Sequence, residues 1–314
     1  MSDSSFLFRS ATSTLLSNND GIGAKFDRFL KNIQLTESQK ELASARHYAI
    51  RQKLESEFPG SKTLLVGSYA KNTSIRPPAD LDIMLVLPQA MYDKYNSWNY
   101  IGKNPQSQLL QEVKNKIQKY YPNTTMKADG QVIIVPFASS FAVEIVPAFK
   151  KNSWYGGRYI VCDTNDGGKW KDSDPDGESS ALTKSNAATN GNTIRLIKMI
   201  KRWKKECNVP LKSIHIELLV QEFIKNYEYR DQTSVYFDWM TRDFFAYLVN
   251  KANSILYSAI SHPTLSENFY LGTAWKSRAD SACARAKKAI EYGDKYPYSA
   301  LEEWQKIFGT DFTG

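Results

Sequence analysis

Apolar residues recur at helical spacing early in the chain and give way to short strand-like runs after residue 60. Phe26, Phe29, Leu30 and Ile33 lie three and four positions apart, the spacing of one buried helical face. Thr36 with Gln39 three residues on has the form of a capping box, so a second helix is expected to begin there and to stop at Pro59-Gly60. The first 20 residues are rich in Ser, Thr and Asn and are expected to form an arm or a short helix.

Strand patterns follow. Thr63 to Val66 is an apolar run closed by Gly67-Ser68, and Asp80 to Leu87 is a second strand between Pro77-Pro78 and Pro88. A helix is expected over Gln106 to Lys119, then strands at Val132 to Val135, Ala142 to Val146 and Arg158 to Cys162. Asp163 to Ser180 is polar, holds Gly167-Gly168 and Asp174-Pro175-Asp176-Gly177, and is expected to be a loop crossing between lobes. From Leu182 onward the pattern is helical throughout: a long basic helix carrying Ile194, Ile197, Met199, Ile200 and Trp203, then helices over Ile214 to Tyr227, Phe237 to Ser258, Ser277 to Tyr292 and Ala300 to Phe308. The layout predicts an α+β protein with a mixed sheet and flanking helices over residues 1–180, and a helical domain over residues 181–314.

Composition narrows the class. The chain is 314 residues long and 42% hydrophobic, enough for a real core and consistent with two coupled lobes. No apolar run approaches the roughly 20 residues that cross a bilayer, and Met1 to Ser17 lacks the form of a secretory signal. Cys162, Cys207 and Cys283 are isolated, form no metal-ligand spacing, and fit a reducing cytoplasm. The formal charge of +8 is compatible with polyanionic partners but equally with a solvated lysine-rich surface.

The chemistry is concentrated in the stretch from Gly67 to Asp82. Alternate side chains of a strand share a face, so Asp80 and Asp82 point the same way while Leu81 points to the core. Two such carboxylates repel each other, and a divalent cation relieves the cost. Upstream, Gly67 lets the backbone approach a phosphate closely, and the Ser68 hydroxyl with the following amides can hold its oxygens. Glu144, set between Val143 and Ile145, is costly to bury alone and is the candidate third ligand of a two-metal site.

This combination of Gly-Ser, Asp-x-Asp and a later strand acid before Val-Pro resembles the DNA polymerase β nucleotidyltransferase superfamily. Within it, the chain is similar to the bacterial cGAS/DncV-like nucleotidyltransferases (CD-NTases). The similarity runs from about Leu64 to Phe223 and includes Asp174-Pro175, the run from Asn190 to Trp203, and Lys212-Ser213-Ile214-His215-Ile216-Glu217. The resemblance implies a polymerase-β-type sheet with a C-terminal helical lobe closing a nucleotide cleft. It implies that Lys201 and Ser213 hold the donor triphosphate, together with Gly67 and Ser68. Asp80, Asp82 and Glu144 would bind two Mg²⁺ ions, for which Mn²⁺ may substitute, and carry catalysis. Glu144 stands where most relatives have Asp, and Ile214 where animal relatives stack a tyrosine on the base.

The implied reaction joins nucleoside triphosphates, purines by family habit, into a cyclic di- or trinucleotide messenger for antiphage defence, with release of pyrophosphate. The alternatives are a linear oligoadenylate-type transferase, a transferase that modifies a protein or small molecule, and a non-catalytic nucleic-acid-binding module. No Cys/His insertion of the kind that grips DNA interrupts the helical region, so activation by DNA or RNA is not implied. A monomer is expected, with no membrane partner. Some family members are conjugated at their C-terminal residue by a ubiquitin-transfer-like partner, which makes Gly314 a candidate for the same fate.

Overall fold

The first helix, α1 (Ile22–Ile33), buries Phe26, Phe29, Leu30 and Ile33, the face its periodicity defines. The computed structural model describes residues 21–100, 103–137, 141–151, 159–257 and 268–314. The arm expected over residues 1–20 lies outside the described residues, as does Arg158. Helix α2 (Glu37–Glu57) opens with the expected capping box: the Thr36 hydroxyl accepts the Gln39 N–H at 3.2 Å, and the Gln39 side chain accepts the Thr36 N–H at 3.0 Å. Two amides that the helix cannot satisfy internally are thereby paired.

Strand β1 (Lys62–Leu65) leads through the single turn α3 (Gly67–Ala70) to β2 (Asp80–Leu87). Helices α4 (Gln89–Tyr95) and α5 (Pro105–Gln118) follow, then β3 (Lys127–Asp129), β4 (Val132–Val135), β5 (Ala142–Lys150), β6 (Tyr159–Asp163) and β7 (Lys169–Ser173). The sheet runs β1-β2-β5-β4-β3, with β6 pairing the far end of β5 and β7 pairing β6. The β2–β5 pair is parallel and the others are antiparallel, so the sheet is mixed. One face packs Leu81, Ile83, Leu85, Val143 and Ile145 against Ile50 and Leu54 of α2 and Leu109, Val113 and Ile117 of α5. The other face carries a small apolar patch of Met84, Ala148, Tyr159 and Val161.

A second core is helical: α6 (Pro175–Ala187), α7 (Asn192–Glu206), α8 (Ser213–Ile224), α9 (Phe237–Asn250), α10 (Lys276–Tyr292) and α11 (Pro297–Phe308). Helix α1 belongs to this core and not to the sheet. Phe26 and Phe29 meet Trp304, Phe308 and Phe312 at ring-centroid distances from 4.5 to 6.4 Å.

Two stretches depart from the sequence expectation. The polar stretch from Asp163 to Ser180 is not a loop: it contains β7 and the start of α6. Asp174 caps that helix by accepting the Gly177 N–H at 2.9 Å, with Pro175 in the first turn where its missing N–H costs nothing. The helix expected over Phe237 to Ser258 ends at Asn250. Asn253 takes a left-handed conformation with φ 62°, and Ile255–Tyr257 forms β8, which pairs with β9 (Asn268–Tyr270). The run after Leu182 is therefore not wholly helical, because the β-forming side chains of residues 255–257 find a strand partner.

Phe312 is fully buried, ringed by Phe26, Phe29, Trp304 and Phe308. Phe312→Ala should destabilise the protein by about 3–5 kcal/mol, the usual cost of emptying a large core site. Urea unfolding measures this, and a loss below about 1 kcal/mol would contradict the packing described.

Candidate active site

The register of the parallel strands sets the site. Asp82 lies opposite Glu144 across the β2–β5 pair, and Asp80 lies two residues earlier on the same face. Leu81 between the aspartates is fully buried, while all three acids are half-buried. Carboxylate oxygens of Asp80, Asp82 and Glu144 lie within 4.8 Å of one another. The three acids singled out in the sequence thus converge.

Gly67 is part of the same construction. Its φ of +66° is one that side chains resist, and a Cβ there would fall 1.8 Å from Asp82 Oδ2. Only glycine lets the turn after β1 lie against the Asp82 carboxylate. The Val66 N–H donates to the Asp82 carbonyl at 3.0 Å, and the Ser68 N–H donates to the Asp82 side chain. The Ser68 hydroxyl pairs with that of Ser74 at 2.8 Å. The loop continues toward α1, where the Arg76 N–H donates to the Ile33 carbonyl at 2.8 Å.

The electrostatics of the cluster fit a cation site. Burial, then the charges of Asp80 and Glu144, push Asp82 up to about 7, against the opposing pull of Lys71 and the Ser68 N–H. Burial also raises Asp80, tempered by Lys201 and Lys204, and burial followed by the Asp80 charge raises Glu144. Three crowded oxygen donors that repel one another suit a hard divalent cation, which would convert the repulsion into attraction.

Beside Asp80 a cleft of about 530 Å³ opens between the sheet and the helices; Ser68, Lys201, Lys204 and Ser213 line it. Ser68 from the sheet side therefore shares the cleft with Lys201 and Ser213 from the helical side, while Gly67 lies against Asp82. Lys201 is not free, however. Its ammonium donates to Glu217 at 2.6 Å and to the Thr73 hydroxyl at 2.8 Å, and the Thr73 hydroxyl donates to the same Glu217 oxygen at 2.9 Å. The other Glu217 oxygen pairs with Lys71 at 2.6 Å, and Lys71 also meets Glu178 at 2.9 Å. Burial alone would raise the Glu217 carboxyl, but Lys201 and Lys71 outweigh it and hold it below its ordinary range.

Residues 21–186, more than half of the chain, match the Second Messenger Oligonucleotide or Dinucleotide Synthetase domain. The protein belongs to this family. A probable cyclic nucleotide synthase of Bacillus cereus (strain VD146) is 24% identical, over 91% of this chain and 96% of the relative. Among solved structures, Escherichia coli MS115-1 CdnC with ATP superposes with a TM-score of 0.69 at 19% identity, covering 93% of this chain and 99% of that one. Vibrio cholerae DncV, a cyclic AMP-GMP synthase in complex with nonhydrolyzable GTP, superposes at 0.65 with 15% identity, covering 93% and 80%. The fold is that of the polymerase-β-type CD-NTases, and this synthetase-family chain is a nucleotidyltransferase.

Sequence reasoning missed the buried network behind the synthetase cleft. Lys71 and Thr73 sit in the turn after Gly67-Ser68, and Glu217 lies in an apolar helix between Ile216 and Leu218. The signal was there: an acid among apolar neighbours, the same argument that picked out Glu144. His215 is buried with its ring 5.0 Å from Phe269, a packing position. Gly314 follows the buried Phe312 by two positions, so Thr313 and Gly314 are exposed while the residue before them is anchored. No described helix is long and apolar enough to cross a membrane.

Two outcomes follow from this geometry. Gly67→Ala should cut turnover by about a hundredfold or more, since an added methyl must displace Asp82; near-normal turnover in a steady-state assay would refute the fit. In the metal-free protein Asp82 keeps its proton up to about 7, whereas the unfolded chain releases it near about 4. The folded state binds the extra proton between those values, so stability should fall as pH rises through that window and level off above it. Melting in EDTA across this range should show the fall, and Asp82→Asn should flatten it; a wild-type slope of the opposite sign that Asp82→Asn removes would contradict the Asp82 environment.

Proposed function

We propose that this chain joins nucleoside triphosphates, purines among them, into a cyclic di- or trinucleotide with release of pyrophosphate, and that the product is a second messenger in antiphage defence. The observation that carries the reading is the convergence of Asp80, Asp82 and Glu144 beside a cleft lined by Ser68, Lys201 and Ser213. The cyclic nucleotide synthase relative and the nucleotide-bound fold relatives support it.

The cleft residues divide the work. Asp80, Asp82 and Glu144 would hold magnesium, two ions by analogy with other in-line transferases, with manganese able to substitute. When bound, the metal supplies charge neutralisation at the acceptor hydroxyl and at the leaving pyrophosphate. Gly67 and Ser68 bring backbone and hydroxyl donors to the donor triphosphate from the sheet side, and Lys201 and Ser213 face it from the helices. Glu144 would take the proton of the attacking hydroxyl. That oxygen bonds to the donor α-phosphorus as the bond to pyrophosphate breaks. A second round within the linear intermediate closes the ring.

Asp80→Ala combined with Asp82→Ala should abolish product formation while leaving the fold intact by circular dichroism; unchanged turnover would end the catalytic assignment. Incubation with four labelled triphosphates, then phosphatase and mass spectrometry, reads the product class. A cyclic product has no terminal phosphate and survives, whereas a phosphatase-sensitive chain would replace this reading with linear synthesis.

A further inference from the structure

Three lysines of α7 line the cleft, Lys201, Lys204 and Lys205, the first two one turn apart. Their electrostatic situations differ. Lys201 is buried and closed into a balanced set in which the ammonium groups of Lys201 and Lys71 meet the carboxylates of Glu217 and Glu178. Two positive and two negative charges leave that set little net field to offer a ligand. It is also held from three directions, by the turn after Gly67-Ser68, by α6 through Glu178 and by α8 through Glu217.

Lys204 has no carboxylate ion-pair partner among the described residues. Its ammonium lies 3.3 Å from the Ser213 hydroxyl, at the N-terminal end of α8, and it is near enough to Asp80 for the two charges to interact. It is half-buried, and burial lowers its proton affinity while Asp80 raises it. The cation thus sits between the metal-binding acids and the serine on the opposite side of the cleft. Lys205, the next residue, is more exposed, and its ammonium donates to the Pro77 carbonyl at 3.1 Å.

We infer that Lys204 is a further triphosphate-binding residue, supplying a positive charge that has no carboxylate ion-pair partner among the described residues to the phosphates between Asp80 and Ser213, while the Lys201–Glu217–Lys71 network positions the Gly67-Ser68 turn against the helices. This rests on the reading of the cleft as the triphosphate site. A charge-assisted contact from an ammonium that has no carboxylate to release is stronger than one from an ammonium already engaged.

The test is calorimetric titration of the full-length protein with inorganic tripolyphosphate in the presence of magnesium. Lys204→Met should weaken binding about tenfold or more, Lys204→Arg should restore most of the affinity, and Lys205→Met should have a smaller effect. Melting of Lys204→Met should stay close to wild type, because the residue is only half-buried and the substitution breaks no ion pair among the described residues. Wild-type affinity in Lys204→Met would overturn the assignment and leave the proposed function standing. Equal loss in Lys204→Met and Lys204→Arg, with melting lowered in both, would assign Lys204 to packing and also overturn it. Failure of the wild-type protein to bind tripolyphosphate would instead sink the reading of the cleft itself.

Discussion

The parallel pairing of β2 with β5 is the constraint on which the rest of the site depends. With Asp82 opposite Glu144, both acids fall on the same face as Asp80, and the apolar residues that alternate with them fall on the face packed by α2 and α5. A slip of one residue would turn Glu144 into the core and bring Val143 or Ile145 beside Asp82. The burial of Leu81, Ile83, Val143 and Ile145 therefore fixes the acids in register more firmly than any contact the acids make. Their mutual repulsion is a local cost borne by that apolar layer, and it is the cost that a cation removes.

Around this pair the sheet and the helices are brought to one cleft. The turn at Gly67 lies against Asp82 because no side chain intervenes, and the loop beyond it reaches α1 through Arg76 and α7 through Thr73. The buried lysine–glutamate set is expensive to desolvate and contributes little net stability by itself. Its value lies in geometry, because Glu217 can satisfy Lys201, Lys71 and Thr73 together only when the turn, α7 and α8 are correctly seated.

Much of this was legible in the residues. The capping box at Thr36, the limits of the Asp80–Leu87 strand and the shared face of Asp80 and Asp82 follow from spacing and alternation, which are local, and Glu144 stood out as an acid between apolar neighbours. What was not legible is long-range. The polar composition of residues 163–180 concealed β7, whose pairing with β6 supplies what its sequence does not, and it concealed a helix start that Asp174-Pro175 should have announced. Likewise, Ile255–Tyr257 continues a helical pattern until β9 offers a partner. Lys201 reads as a simple cleft cation until Glu217 and Thr73, distant in sequence, are seen beside it.

The aromatic cluster that joins α1 to the end of the chain has a bearing on biosynthesis. Phe26 and Phe29 leave the ribosome before the seven-stranded sheet, but their partners Trp304, Phe308 and Phe312 are made after it. The sheet can pair once residue 173 is available, whereas α1 gains its first helical partners only with α7 and α9, and its aromatic face closes only when Phe312 has been made. An amphipathic segment left waiting through synthesis of the sheet is a natural client for a chaperone, and termination before α7 leaves the sheet strands without the helical side of the cleft.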